Sequence, residues 1–355
     1  MQRAYFLGGA SPSGFTTSFW KEQAGCYGFY LKGGPGTGKS TLMKKIAAAF
    51  SGERVSVYHC ASDPHSLDAV VLEERGVFIA DATAPHENST PLPFVTGELT
   101  DLAAGLKTEK LRDVQAEITA LYAQNQTAHA QARRCLSGMA DLLDSAASAG
   151  ESALLRDKLE GFAARFAKRI LPKSGDGSGG RVLERQSCAV TPHGTLTLLP
   201  EDFDLILLRD DALAASQNLL KMLAELAAAA GQTCEVTHAL TQSSRPVTHL
   251  ILPERRLAVI AEAAVHPESL QKPLSAVSMN RFYDAAVLKQ HRELIRFCTK
   301  TAADVEQRTV GILAEALRIH DELEAYYIAA LHKPFLDQKA AELVKRILTI
   351  SPRND

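Results

Sequence analysis

The second half of the chain is a worn copy of the first, and that duplication limits what the chain can fold into more than any other feature. Ser11-Pro12-Ser13-Gly14 and Thr17 recur as Thr191-Pro192-His193-Gly194 and Thr197, 180 positions later. Leu42-Met43-Lys44 recurs as Leu219-Leu220-Lys221 at an offset of 177. Glu74-Arg75, the apolar run 77–80 and His86 return as Glu254-Arg255, 257–260 and His266, again at 180. Lys168-Arg169-Ile170-Leu171 returns intact as Lys345-Arg346-Ile347-Leu348, at 177. A common order at a nearly constant spacing means one structural unit used twice. The 355 residues allow about 150 or more per copy, enough for each to bury a core.

The Gly/Ser-rich stretch from Pro172 to Gly180 has the composition of a linker. The reading is therefore a first domain over 1–173, a linker over 174–180 and a degenerate repeat over 181–355. Within the first copy, the apolar and β-branched runs 27–31, 55–60 and 77–81 read as buried parallel strands. The stretch 39–50 between the first two has helical composition. Three strands per half are few for such a sheet, so the expectation is that the halves complete one another's sheet or pack edge to edge.

Downstream the hydrophobic period changes. Leu111, Val114, Ile118, Leu121, Asn125, Ala128, Ala132, Cys135, Met139 and Leu142 follow a 3-4 spacing. In the second copy the stripe runs from Leu288 through His291, Ile295, Cys298, Ala302, Val305, Thr309, Ile312, Ala316, Ile319, Leu323 and Tyr326 to Ala330. Such a seam belongs to a coiled coil or helical hairpin. It predicts helical arms over about 98–171 and 280–350, with long helices of roughly 45–65 Å. Either the arms pack on each other, or they carry a partner-binding tip whose register Asn125, His291 and Thr309 would set.

The sharpest chemical signal is Gly33-Gly34-Pro35-Gly36-Thr37-Gly38-Lys39-Ser40-Thr41, which satisfies G-x-x-x-x-G-K-[ST] between a strand and a helix. Glycines let backbone N–H groups turn inward around an anion, and the following helix presents its own free N–H groups to the same place. Lys39 would neutralise β/γ-phosphates, Ser40 would ligate Mg²⁺, and Thr41 would reach the α-phosphate. A carboxylate at a strand end should support the metal. Asp81 fits, with Asp63 and Asp68 as rivals. Lys39 and Asp81 are thus the candidate catalytic pair.

The second copy acts as an internal control. At the 177 offset, Gly33 through Thr41 fall on Asp210-Asp211-Ala212-Leu213-Ala214-Ala215-Ser216-Gln217-Asn218, and every phosphate-binding feature is gone. Asp63 falls on Gln242, Asp68 on Val247, Asp81 on Ala261 and Thr83 on Ala263, with Glu262 one place beyond the Asp81 position. Residues lost with the loop are candidates for nucleotide chemistry. His59 with His238, His86 with His266 and Arg75 with Arg255 persist in both copies and so read as structural. A degenerate half can still lend a residue to the active one. Leu136-Ser137-Gly138-Met139 only imitates the start of a transporter signature. The basic stretch Arg165, Lys168, Arg169, Lys173, Arg181, Arg185 has the charge expected at a helix C-terminus.

Tyr5-Phe6-Leu7-Gly8-Gly9, Ser11-Pro12-Ser13-Gly14-Phe15, the run from Leu31 to Ile46, His59-Cys60-Ala61-Ser62-Asp63-Pro64 and Asp81-Ala82-Thr83-Ala84-Pro85-His86 together resemble a bacterial family of duplicated P-loop proteins. The resemblance covers the first half well and the second in outline. It implies tandem three-layer α/β units of P-loop type with parallel sheets, and ATP binding of an ATPase or nucleotide-kinase-like kind. Many members keep a phosphate loop in both halves, and this chain departs from that pattern.

The expectation is Mg²⁺-dependent ATP binding with slow hydrolysis, the helical arms passing the nucleotide state to a protein partner. A small-molecule or nucleoside kinase, with Asp63 or Asp68 serving the acceptor, and a non-hydrolysing adaptor are the alternatives. Ala82 stands where many P-loop ATPases place a glutamate, and no N-K-x-D element marks guanine. A net charge of −2 with 23% charged residues argues against a nucleic-acid partner. No run approaches the roughly 18 apolar residues of a membrane span, and residues 1–20 lack an export signal. Six scattered cysteines without a C-x-x-C pair complete the expectation of a cytoplasmic chain.

Overall fold

Both copies of the repeat build the same six-stranded sheet. The computed structural model describes residues 2–171, 180–262 and 273–350. Strands of the first copy are β1 (Gln2–Phe6), β2 (Gly9–Ser11), β3 (Gly14–Thr16), β4 (Tyr27–Lys32), β5 (Val55–His59), β6 (Leu67–Leu72), β7 (Val77–Asp81) and β8 (Gly97–Asp101). Its helices are α1 (Phe19–Glu22), α2 (Lys39–Ala49), α3 (Thr108–Arg112), α4 (Gln115–Ser152) and α5 (Arg156–Ile170). The second copy contributes β9 (Val182–Glu184), β10 (Cys188–Thr191), β11 (Gly194–Thr197), β12 (Asp204–Arg209), β13 (Cys234–His238), β14 (Val247–Leu252), β15 (Leu257–Ala261) and β16 (Ser275–Ser278). It adds α6 (Ala214–Ala229), α7 (Ala285–Ala330) and α8 (Lys333–Leu348). The sheet orders, β1-β5-β6-β7-β4-β8 and β9-β13-β14-β15-β12-β16, match strand for strand. The protein is α/β, with two six-stranded mixed sheets and long helices.

The expected parallel sheet is corrected on one point. β6 and β14 lie antiparallel to both neighbours, while the remaining pairings within the two six-stranded sheets are parallel. The connections explain this. β6 reaches β7 through one 3-10 turn, Glu73–Arg75, closed by Gly76 at φ 58°. So short a link permits only an antiparallel neighbour, whereas a parallel return needs a crossover of a dozen residues or more. All six residues of β6 are buried, Asp68 among them, and this strand was not among the three expected. Each sheet has six strands of its own, so the expectation that the halves complete one sheet is also overturned. Residues 97–101, assigned to the arm, form edge strand β8 beside β4.

The chain divides into two compact units that do not follow the sequence halves. Unit one comprises Met1–Gly9, Phe19–Ala132 and Gly311–Asp355, and unit two comprises Ala10–Ser18 and Arg133–Val310. Both divisions of the helical arms fall inside the long helices α4 and α7. The linker expected at 174–180 lies outside the described residues except for Gly180, as do Lys173 and His266.

In unit one, one face of the sheet packs against α2 and against α8, the last helix of the second copy. Leu336, Ala340, Leu343 and Ile347 of α8 join Phe29, Leu31, Leu42, Met43, Ile46, Val70 and Ile79 in one core. The register of α8 is locked where the Lys107 N–H donates to the Ala330 carbonyl (2.9 Å) and the His332 N–H donates to the Gly105 carbonyl (2.9 Å). Arg346 pairs with Glu98 of β8. The opposite face carries Phe19, Trp20, Tyr30, Tyr58 and Phe78 as an aromatic cluster.

Unit two repeats this with the roles exchanged. Leu159, Ala163, Phe166 and Ile170 of α5, the last helix of the first copy, join the core of β12–β15 and α6. The Asp284 N–H donates to the Ala153 carbonyl (2.8 Å) and the Leu155 N–H to the Phe282 carbonyl (2.8 Å), the counterparts of the two bonds in unit one.

Every residue of both seam stripes is buried or half-buried. In unit one the Asn125 amide donates to the Ala316 carbonyl across the two helices (2.8 Å). In unit two Ala146 meets Cys298 and Leu213. Thr309 donates to Val305 of its own helix (2.8 Å) and joins no neighbour through that bond. At 38 and 46 residues, α4 and α7 run about 57 and 69 Å. Among the described residues no helix is long and apolar enough to cross a membrane.

The exchanged helices give a direct test. Leu343→Ala should cost about 2–5 kcal/mol through the cavity it leaves. Hydrogen exchange should then quicken in β4 and β7 of unit one, more than 250 residues earlier in sequence, while β12 and β15 stay protected. Faster exchange in β12 and β15 alone would contradict the exchanged packing.

Candidate functional site

Strand β4 ends at Lys32, and the chain turns through the glycine loop into α2. Gly33, Gly36 and Gly38 have φ of 154°, 65° and 84°, left-handed or mirror-extended values that other residues rarely adopt. Gly38 is the cap residue of α2 and offers no side chain, so the free N–H groups of the first turn depend on an external acceptor. Thr37 is buried, and its hydroxyl donates to the Gly34 carbonyl (2.9 Å).

Lys39 folds back over this loop. Its Nζ donates to the carbonyls of Gly33 (2.9 Å) and Gly34 (2.8 Å) and lies 3.6 Å from Asp81 Oδ2. Asp81 ends β7 beside β4, with Leu31 as its register partner. Its other oxygen accepts from the Thr83 N–H (2.8 Å), and the Thr83 hydroxyl donates to the Gly33 carbonyl (2.9 Å). Loop and neighbouring strand end are therefore tied together. Thr83 was legible as a residue lost with the loop, but not as this tie.

The other sequence candidates separate. Ser40 Oγ accepts from the Leu67 N–H at the start of β6 (3.0 Å). Asp68 is buried inside β6, 3.4 Å from His86 Nε2. Burial pushes its carboxyl up, His86 opposes that, and Asp81 adds to it, with Cys60 and Lys39 pulling down. Asp63 sits in the turn after β5, where it accepts from the His65 N–H (3.1 Å). Thr41 follows in the first turn of α2. Among the described residues no group of three or more His, Cys, Asp or Glu is arranged to hold a metal. Mg²⁺ commonly takes only one or two protein oxygens beside phosphate and water, and Ser40 with Asp81 could supply those.

Residues of α7 that no motif marked also reach the loop. Glu324 Oε1 accepts from the Gly36 N–H (2.9 Å), and His320 Nε2 lies 3.6 Å from the same oxygen. A Cβ on Gly36 would stand 2.7 Å from the Glu324 carbonyl oxygen and 2.9 Å from Tyr327 Cβ. The His320 ring, the Gly36 N–H and the Lys39 charge hold the Glu324 carboxyl below the usual range against the effect of burial. On Asp321, which follows His320, burial raises the carboxyl, and Asp63 is among the groups that add to this.

Unit two shows what the degenerate loop became. Leu213, the counterpart of Gly36, keeps φ at 67° without a glycine. Asp210 is buried, and its Oδ2 accepts from the Ser216 N–H (2.7 Å) at the start of α6. Its Oδ1 accepts from the Ala212 N–H (3.1 Å) and the Tyr283 hydroxyl (2.8 Å). A side-chain carboxylate thus accepts from the N–H at the start of the helix that follows the loop. Strand register pairs Leu208 with Ala261 as it pairs Leu31 with Asp81, so Ala261, not Glu262, is the Asp81 counterpart. The same registers place Leu67 opposite His59 and Val247 opposite His238, which moves the Asp68 counterpart from Val247 to Thr248. Both of these histidines sit at a register shift, and each Nδ1 contacts a carbonyl oxygen, of Pro64 (2.8 Å) or Arg245 (2.7 Å). That shared geometry is structural. Arg75 likewise grips Glu53 with Nε and Nη2, and Leu136–Met139 is an interior stretch of α4.

Comparison with protein-family models, with curated proteins and with solved structures found no match.

Asp68 provides a pH test. A carboxyl raised in the folded state favours folding at low pH, and that contribution is lost as pH rises through its folded value. In the absence of Mg²⁺, Asp68→Asn should therefore raise the Tm at pH 8, and the gain should shrink toward pH 4. Thermal unfolding at the two pH values measures it, and a lower Tm at pH 8 would contradict the assignment.

Proposed function

We propose that unit one binds a nucleoside triphosphate with Mg²⁺, ATP by default, and hydrolyses it slowly. The observation that carries this reading is the position of Lys39. Its amine spans the mouth of a loop with left-handed glycines, at the open end of α2, within 3.6 Å of a strand-end carboxylate. Left-handed glycines, a helix N-terminus and a lysine are what polyphosphate recognition requires. Mg²⁺, when bound, would screen charge on the β/γ-phosphates. Ser40 and Asp81 are the residues that would hold it. Asp81 also orients Thr83, which ties the loop to the strand end. Ala82, fully buried behind Asp81, brings no carboxylate to activate water, which supports slow turnover. The seam residues of the arms are taken up in helix packing, and this favours nucleotide binding over partner recruitment as the primary function. In unit two the Asp210 carboxylate on the N–H at the start of α6 supports a single nucleotide site.

Lys39→Ala should weaken Mg·ATP binding at least about a hundredfold and abolish ADP formation, as read by calorimetry and a coupled assay. Unchanged affinity would end the reading. Wild type and Ser216→Lys should both bind one nucleotide per chain, and a stoichiometry of two in the wild type would overturn the single-site proposal.

A further inference from the structure

Both copies of the loop hold a protein carboxylate, but they hold it differently. In unit two Asp210 belongs to the loop itself, is buried, and is fixed by two backbone N–H groups and the Tyr283 hydroxyl. In unit one the carboxylate arrives from α7. Glu324 makes one bond to the loop, from the Gly36 N–H at 2.9 Å, and its side chain is 36% exposed. Three hydrogen bonds hold the first carboxylate, and one joins the second to the loop.

We propose that Glu324 is a displaceable occupant of the phosphate loop, and that a nucleotide's phosphates enter only by taking the Gly36 N–H from it. The proposal rests on the nucleotide reading of unit one and adds its regulation. The chemistry is competition between anions for one donor, since the loop N–H groups that would cradle phosphate are those a carboxylate accepts from. Close packing reinforces the coupling. The α7 backbone at Glu324 and the Tyr327 Cβ lie within 3 Å of where a Gly36 side chain would begin, so polyphosphate in the loop would crowd this turn. Negative charge on Glu324 would also repel the incoming phosphates. His320, 3.6 Å away on α7, is placed to hold the carboxylate once it leaves the loop. Asp321 and Asp63 add negative charge nearby, and Lys39 supplies the opposing attraction.

Removing the occupant should tighten binding. A charge-assisted hydrogen bond contributes enough that its loss as a competitor is worth about tenfold or more in affinity. The test measures a fluorescent ATP analogue with Mg²⁺ on the full chain for wild type, Glu324→Ala, Glu324→Gln and Lys39→Ala. Glu324→Ala should bind about tenfold tighter than wild type. Glu324→Gln, which keeps an acceptor for Gly36 without the charge, should fall between them and guards against a folding defect in the alanine variant. Hydrogen exchange over 320–328 should quicken when nucleotide is added to wild type. If wild type binds, Lys39→Ala does not, and both Glu324 variants bind equally or more weakly, the occupant role is wrong while the nucleotide reading stands. If no variant binds, Glu324→Ala included, the nucleotide reading fails and takes this proposal with it.

Discussion

The structure depends on an exchange of terminal helices. Each sheet presents an apolar face that the helix after its first strand-and-loop unit only partly covers, and in each unit the remainder is covered by the last helix of the other sequence copy. Burying residues such as Leu336, Leu343 and Ile347 is worth about 1.5–3 kcal/mol each, which is large against the stability of an ordinary domain. The constraint decides more than packing. To deliver α8 in unit one, the chain must bring α7 past the end of β4, and the two backbone bonds at Lys107 and His332 set where it passes. The approach of Glu324 and Tyr327 to the glycine loop follows from that geometry.

The glycines of the loop therefore serve two neighbours. Gly36 supplies a left-handed turn and also a surface against which α7 lies. In unit two Leu213 has φ 67° and ψ −37° in a tight turn where the Ala214 N–H donates to the Ala212 carbonyl (2.7 Å), and it is buried against Ala146 and Cys298. A positive φ on a non-glycine residue in so tight a turn costs on the order of 1–3 kcal/mol, and apolar burial offsets it. A positive φ thus recurs at this position without glycine, and the Asp210 carboxylate accepts from the Ser216 N–H at the start of α6.

Much of the fold was legible in the sequence. The runs 27–31 and 77–81 are strands within one residue, 39–50 is α2 less its last residue, and the seam stripes lie on α4 and α7 except for Leu111, in α3, and Val114, just before α4. Comparing the copies also paired His59 with His238, which share a register shift and a contact from Nδ1 to a carbonyl oxygen. What escaped was β6, because a buried aspartate inside an apolar run breaks the hydrophobic pattern that marks a strand. With β6 and β14 the mixed character of the sheets escaped, and the edge strands escaped too, being short or only part-buried.

The sequence by itself determined the repeat, the loop and its lysine, the strand-end aspartate and the periodicity of the long helices. All of these are local patterns or comparisons of one copy with the other. Only the tertiary structure decided which sheet each terminal helix covers. Seam periodicity says which face of a helix is apolar but not which of two similar cores will bury it. For the same reason only the structure could bring Glu324 to Gly36, 288 positions away in the chain, since a carboxylate on an arm carries no mark of the loop it will reach.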